Sequence, residues 1–193
     1  MRRRPLGETP HGAVVEDLAK FFYGMRIVFA EPRIDSIWLS GGRIPIPDVL
    51  TLERSYTRFN PAIYDVKVSR NDYLKDVSTN KWKKYLPFCA RFYFACLPGL
   101  VSKKELPDEA GLIVRGDNGW SVAKAPRVRV ADAWDQINIQ ALLMSGCFTS
   151  ERVRRLRHQV YFGENIAIED QVHDIGEKLA AEIARLRRLE RGA

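Results

Sequence analysis

The sequence predicts an α/β domain, a mixed β-sheet flanked by helices, with a helical extension at its C-terminal end. Three observations predict it. Short apolar or alternating runs, punctuated by Gly, Pro and Asn, recur between residues 25 and 124. Segments with apolar residues three and four apart stand before and among them. From residue 131 onward the pattern is helical, with no strand-like run. The expected organisation is therefore a sheet domain over residues 1–130 and a helical extension over 131–193.

Taken in order, Gly12 to Tyr23 reads as a helix with Val14, Val15, Leu18, Phe21 and Phe22 on one side, ended by Gly24. Met25 to Ala30 reads as a strand. Ser36 to Ser40 is a short apolar run that stops at Gly41-Gly42, a strand entering a turn. Pro47 to Glu53 reads as a strand entered through prolines, which have no N–H to donate. A loop, Arg54 to Pro61, leads to a strongly β-like run, Ala62 to Ser69. Asp72 to Tyr85 reads as a Lys-rich helix interrupted by Pro87, and Arg91 to Leu97 as a buried strand. Gly111–Arg115 and Trp120–Lys124 flank Gly116-Asp117-Asn118-Gly119, a hairpin signal. Helices follow near Ala131–Met144 and Ile166–Arg191.

Composition excludes several classes. With 46% hydrophobic and 28% charged residues, the 193-residue chain is neither disordered nor collagen-like. No stretch approaches the roughly 18 apolar residues of a membrane helix, so no membrane association is expected. Met1-Arg2-Arg3-Arg4 is followed by Pro5-Leu6-Gly7-Glu8 rather than by the apolar run of a secretory leader. The three cysteines, Cys89, Cys96 and Cys147, lack CxxC spacing, so neither a disulfide framework nor a Cys-rich zinc site is expected, and a reducing cytoplasm fits best. The formal net charge is +7 and unevenly spread: Tyr64 to Lys104 holds nine Lys/Arg against three Asp. A basic centre interleaved with aromatics suggests a polyanion such as nucleic acid, a solvated basic face being the alternative.

The chemistry concentrates between Asp48 and Asp65. Charged side chains intrude at Asp65 and Lys67 in a run that is otherwise apolar, Ile63-Tyr64-Asp65-Val66-Lys67-Val68. Side chains alternate along a strand, so Asp65 and Lys67 share one face, with Tyr64, Val66 and Val68 on the other. With Asp48 on the neighbouring strand, two carboxylates converge on one divalent cation, and hard oxygen ligands favour Mg²⁺ or Mn²⁺. Lys67 then stands beside the metal, to orient or deprotonate a water or to stabilise charge in phosphodiester cleavage. The alternative is a solvent-facing Asp–Lys pair. Asp35 competes with Asp48 for the first position, but the shorter connection to Asp65 favours Asp48.

The stretch from Pro47 to Val114 resembles PD-(D/E)XK nuclease-like proteins of the MmcB-like DNA repair group and their phage-borne relatives. The resemblance rests on Asp48; on Asp65-Val66-Lys67-Val68-Ser69-Arg70-Asn71-Asp72-Tyr73 through Asp76; on Lys81-Trp82 with Tyr85 and Cys89; on Phe92-Tyr93-Phe94 with Pro98 and Gly99; and on Leu106-Pro107-Asp108-Glu109-Ala110-Gly111-Leu112-Ile113. It implies a restriction-endonuclease-like core and a metal-dependent deoxyribonuclease in DNA repair or in phage and mobile-element DNA processing. A DNA-binding repair scaffold that keeps the fold is the alternative. Two departures bear on the site: Asp65 stands where the family has Glu, shortening the ligand arm, and Val77-Ser78-Thr79-Asn80 is inserted before the Lys-Trp motif.

The resemblance implies Asp48, Asp65 and Lys67 as catalytic residues, with Asp48, Asp65 and the Val66 carbonyl as metal ligands. Glu16, on the first helix, is a candidate further ligand, the alternative being a solvent-facing glutamate. Lys81 and Tyr85, four apart on one helical face, resemble the QxxxY pair of RecB-type nucleases, with Lys for Gln. Ser69, Arg70, Lys81 and Tyr85 are the expected DNA contacts. Asp72 is expected to cap the following helix, and Trp82, Phe92, Tyr93 and Phe94 to lie in the core. His11, His158 and His173 form no expected cluster. The stripe Val172, Ile175, Leu179, Ile183, Leu186 and Leu189 is expected to pack on the core or to form a homodimer seam.

Overall fold

A computed structural model describes residues 10–34 and 44–148. Asp35, the run Ser36 to Ser40, the helix Ile166 to Arg191 and its apolar stripe lie outside the described residues. The chain begins with helix α1 (Pro10–Phe22), where Pro10 opens the first turn, a position whose N–H has no intrahelical partner. Gly24, at φ 92°, makes the left-handed turn out of it. Strands β1 (Ile27–Ala30), β2 (Val49–Leu52) and β3 (Pro61–Lys67) follow. Helix α2 (Arg70–Ser78) and a 3₁₀ helix (Lys81–Phe88) then lead to β4 (Arg91–Cys96). A short 3₁₀ turn (Lys103–Glu105) precedes the hairpin of β5 (Gly111–Gly116) and β6 (Gly119–Lys124), and α3 (Gln136–Ser145) comes last.

The six strands form one mixed sheet in chain order. β1–β2, β2–β3 and β5–β6 are antiparallel, whereas β3–β4 and β4–β5 are parallel. A parallel pair requires a crossover, which α2 and the 3₁₀ helix supply between β3 and β4. Every residue of the central strand β3 is buried, as expected of a strand covered on both faces. On one face Ile63, Phe92, Phe94 and Leu112 meet Tyr73, Trp82 and Tyr85. On the other, Tyr64, Val66, Tyr93 and Ala95 meet Val15, Leu18 and Phe22 of α1. The expected core aromatics are thus buried, as are Cys89 and Cys96, both unpaired.

The single helix expected over Asp72 to Tyr85 is two elements. Thr79 caps α2 and Asn80 turns left-handed at φ 54°, so residues 77–80 end one helix and restart the chain as another. Pro87 does not interrupt the second element but lies inside it, near its end. The helix expected from Ala131 begins at Gln136 instead. The preceding residues run along the 3₁₀ helix and β4: Arg129 N–H donates to Ala90 O, Ala133 N–H to Pro87 O, and the Trp134 indole to Phe88 O. Leu142 of α3 joins the core beside them. The described chain beyond residue 130 is therefore packed on the sheet domain.

Candidate functional site

Sheet register builds the site. Val49 pairs with Tyr64, so Asp48, one residue before β2, lies at the level of Asp65 and Val66 on β3. There the Asp48 side chain takes over the ladder: its Oδ2 accepts the Val66 N–H at 2.6 Å. Its own carbonyl accepts the Glu31 N–H at 2.8 Å. What Val66 gives to this pair is its N–H, and its side chain packs under α1.

Asp65 and Lys67 share a face, as alternation requires, and both are buried. Lys67 Nζ lies 2.7 Å from Asp65 Oδ2, 2.7 Å from Asp76 Oδ2 and 3.5 Å from Asp72 Oδ2. The Asp65 and Asp76 oxygens are sealed from solvent and meet the ammonium as ion pairs without a well-directed hydrogen bond. Burial, and then the charge of Asp48, push Asp65 well above the usual carboxylate range. Burial would also raise Asp76, but its close contacts with Asp65 and with the Lys67 ammonium outweigh it and hold Asp76 low. For Lys67, burial favours the neutral amine, yet the two carboxylates more than offset it and raise its pKa. Of the two acids Asp76 is thus the more readily ionised, and Lys67 is held as a cation.

His11 was not expected here. It stands in the first turn of α1 with Nε2 3.4 Å from Asp48 Oδ2. Its hydrogen bond to Asp48 raises its pKa, burial opposes this, and the charges of Asp48, Asp65 and Glu31 add to the rise. A signal existed in the sequence: 11, 15, 18 and 22 have the spacing of one helical face, the apolar one, so a polar residue on it demands a partner. Asp76 had a similar signal, four residues after Asp72 on α2.

The other expected residues are distributed unequally. Tyr85 reaches the site: its hydroxyl donates to Ile46 O at 3.2 Å and faces the charges of Asp65, Asp48 and Asp76. Lys81 is exposed, with its charge acting on Asp76. Ser69 is the N-cap of α2, accepting the Asp72 N–H, which corrects the expectation that Asp72 caps this helix. Arg70 forms a two-pronged ion pair with Glu105 and donates to Leu100 O, tying the loop after β4 to α2. Glu16 pairs with Lys20 one turn along α1 at 2.8 Å. The Asp48, Asp65, Lys67 and Tyr85 positions are therefore brought together, whereas Arg70 and Glu16 are held by other partners.

Among the described residues no group of three His, Cys, Asp or Glu side chains is placed to hold a metal ion. That argues against a closed zinc-type cage. The hard carboxylates of Asp48 and Asp65 fit Mg²⁺ better, because this ion uses one or two carboxylates and otherwise keeps water and takes phosphate oxygens. Burial is the larger cause of the rise at Asp65, and the charge of Asp48 that adds to it is the kind of anionic crowding a cation relieves.

Comparison with known proteins places this geometry in context. Residues 25–157 match the family described as DNA repair protein MmcB-like. No curated protein matches the chain. Among solved structures, the SPO1766 protein of unknown function from Silicibacter pomeroyi is similar in fold. It has a TM-score of 0.55 and 20% sequence identity, and the match covers 84% of this chain and 99% of that one. No helix among the described residues is long and apolar enough to cross a membrane.

Proposed function

The chain belongs to the MmcB-like DNA repair protein family, which suggests a role in DNA repair, and we propose that it performs that role as a PD-(D/E)XK-type nuclease hydrolysing DNA phosphodiester bonds with Mg²⁺ or Mn²⁺. The observation that carries the reading is the placement of Asp48 against Asp65 across β2 and β3, with Lys67 on the same face as Asp65. In this reading Asp48 and Asp65 would hold the cation through their carboxylates. The bound ion supplies Lewis acidity and a water of lowered pKa. Lys67, whose proton is held tightly by two carboxylates, acts as a fixed cation rather than as a base. Tyr85 holds the segment before Asp48 through Ile46 O, and Lys81 offers its exposed charge to a phosphate.

A second reading has its own observation. Lys67 is closed between two buried carboxylates, an arrangement that also serves as an internal ion cluster in a DNA-binding scaffold. Nicking of plasmid and single-stranded DNA in Mg²⁺ or Mn²⁺, compared with gel shifts in chelator, separates the two. The nuclease reading expects cleavage that Asp65→Asn abolishes. Binding without cleavage under every metal condition leaves the scaffold.

A further inference from the structure

The pole of the sheet opposite the candidate site carries a second feature. The register puts Ile27 beside Leu52 and Leu52 beside Pro61, with Ala62 beside Arg91. The start of β1, the end of β2 and the starts of β3 and β4 therefore meet at one end. Asp48 and Glu53 flank β2 at its two ends, five residues apart, so this end lies about 17 Å from the candidate site at the usual strand rise.

Arginines gather there. Arg26 precedes β1, Arg54 and Arg58 lie in the loop between β2 and β3, and Arg91 opens β4. Glu53 sits among them: Asn60 holds its carboxylate low by a hydrogen bond, with burial opposing and Arg58, Arg26 and Arg91 assisting. Arg58 approaches Glu53 only at 4.0 Å, and Arg54 and Arg91 have no ion-pair partner among the described residues. The Glu53 carboxylate thus faces the guanidinium groups of Arg26, Arg58 and Arg91, with the exposed Arg54 next to it in the chain, and the cationic side chain gathered here is the one best suited to phosphate.

The loop is also constructed. Ser55 Oγ accepts the N–H groups of Thr57 and Arg58 at 3.3 and 3.1 Å, and Asn60 closes the base on Glu53 at 3.0 Å. At its tip Tyr56 is fully exposed (110%), with no hydrogen bond and no ring contact among the described residues. Phe59 beside it is anchored edge-on against Trp134 at 5.4 Å. A fixed turn that holds an aromatic ring in water between two arginines has no evident role in packing.

We propose that this pole is a docking surface for single-stranded nucleic acid, with backbone phosphates on Arg54, Arg58 and Arg91 and a base stacked on Tyr56. The combination is the one such surfaces use: a positive track for the backbone and an aromatic face that accepts any base. It goes beyond the nuclease reading and does not depend on it, since these residues lie apart from Asp48, Asp65 and Lys67. An end that grips an unpaired strand would hold it while the far end of the same sheet engages DNA.

Fluorescence anisotropy of the full chain with a labelled oligothymidylate, in chelator so that no cleavage intervenes, tests it. Tyr56→Ser should weaken binding about ten-fold, the loss of one stacked base. Arg54→Ala with Arg58→Ala should weaken it and lower the salt slope by about 1.4, two single-strand phosphate contacts. Lys83→Ala with Lys84→Ala removes the same charge from the 3₁₀ helix and should leave most of the affinity. All these side chains are exposed, so the variants should fold, and unchanged thermal melts check it. Wild-type affinity in the Tyr56 variant, equal loss in the lysine control, or full competition by duplex DNA would each overturn the assignment. Cleavage assays on the same variants in metal report the other site separately.

Discussion

Asp76 of α2 closes on Lys67 of β3 at 2.7 Å, and both side chains are almost wholly buried. The contact ties the helix that follows β3 to the end of the strand that carries the candidate chemistry. Just after Asp76, residues 77–80 form the helix end and the left-handed turn at Asn80.

Lys67→Ala should therefore destabilise the protein as well as its chemistry. Removing the ammonium leaves Asp65 and Asp76 facing one another without a cation, at a cost of about 3–5 kcal/mol. Thermal denaturation should show a large fall in midpoint. Lys67→Met combined with Asp76→Asn, which removes both charges, should recover much of it. A Lys67→Ala protein as stable as wild type would show that the cluster contributes nothing to folding.

Cleavage is expected to respond differently to the two strand residues. At a temperature where it remains folded, Lys67→Ala should lose about a hundred-fold in rate, on the order of 3 kcal/mol for one group aimed at the developing charge, with DNA binding largely kept. Asp65→Asn should lose cleavage together with Mn²⁺ affinity, measured by calorimetry on the metal alone. If both variants cut like wild type, the catalytic reading is wrong.

The Arg70–Glu105 pair makes a pH-dependent contribution. Arg70 holds Glu105 down to about 2, below its ordinary value of 4.5. A lowered carboxylate stabilises the fold above its unfolded pKa, and that contribution fades as pH falls from 4.5 towards 2. The stability difference between wild type and Arg70→Ala should thus be present at neutral pH, shrink across that window, and shrink also in high salt, because the pair is exposed. A difference that grows on acidification would contradict the assignment.

Tyr85→Phe removes one buried hydrogen bond, to Ile46 O, and leaves the ring packed against Phe92. The expected loss is about 1 kcal/mol in stability. Metal-dependent cleavage should fall as the segment before Asp48 loosens. Unchanged cleavage would separate Tyr85 from the site's function.

Affinity for duplex DNA should fall steeply with salt, because the positive segment between Tyr64 and Lys104 would release condensed counterions. Lys81→Ala should reduce the salt slope by about one, uniformly across sequences. A flat titration would remove DNA as the partner.

The sequence by itself determined the class of the fold, most of its strands and the pair on β3. Period-two alternation in Ile63 to Val68 can only put Asp65 and Lys67 on one face, and the short connection from Asp48 makes β2 and β3 neighbours. These are local or nearest-neighbour facts, which periodicity carries. It did not determine where the helix after Asp72 breaks, because Lys-rich polar residues suit one long helix as well as two short ones, and only the left-handed turn at Asn80 decides. Nor did it place the segment 125–135, in which the Arg129 and Ala133 N–H groups donate to Ala90 O, just before β4, and to Pro87 O of the 3₁₀ helix. The partners of charges far apart in the chain were decided by tertiary structure alone. Arg70 is separated from Glu105 by 35 residues and His11 from Asp48 by 37, and no periodicity links side chains across such distances. Packing of α1 and α2 on opposite faces of the sheet brings His11 to Asp48 and Asp76 to Lys67, because a polar group buried by that packing must find a partner within reach.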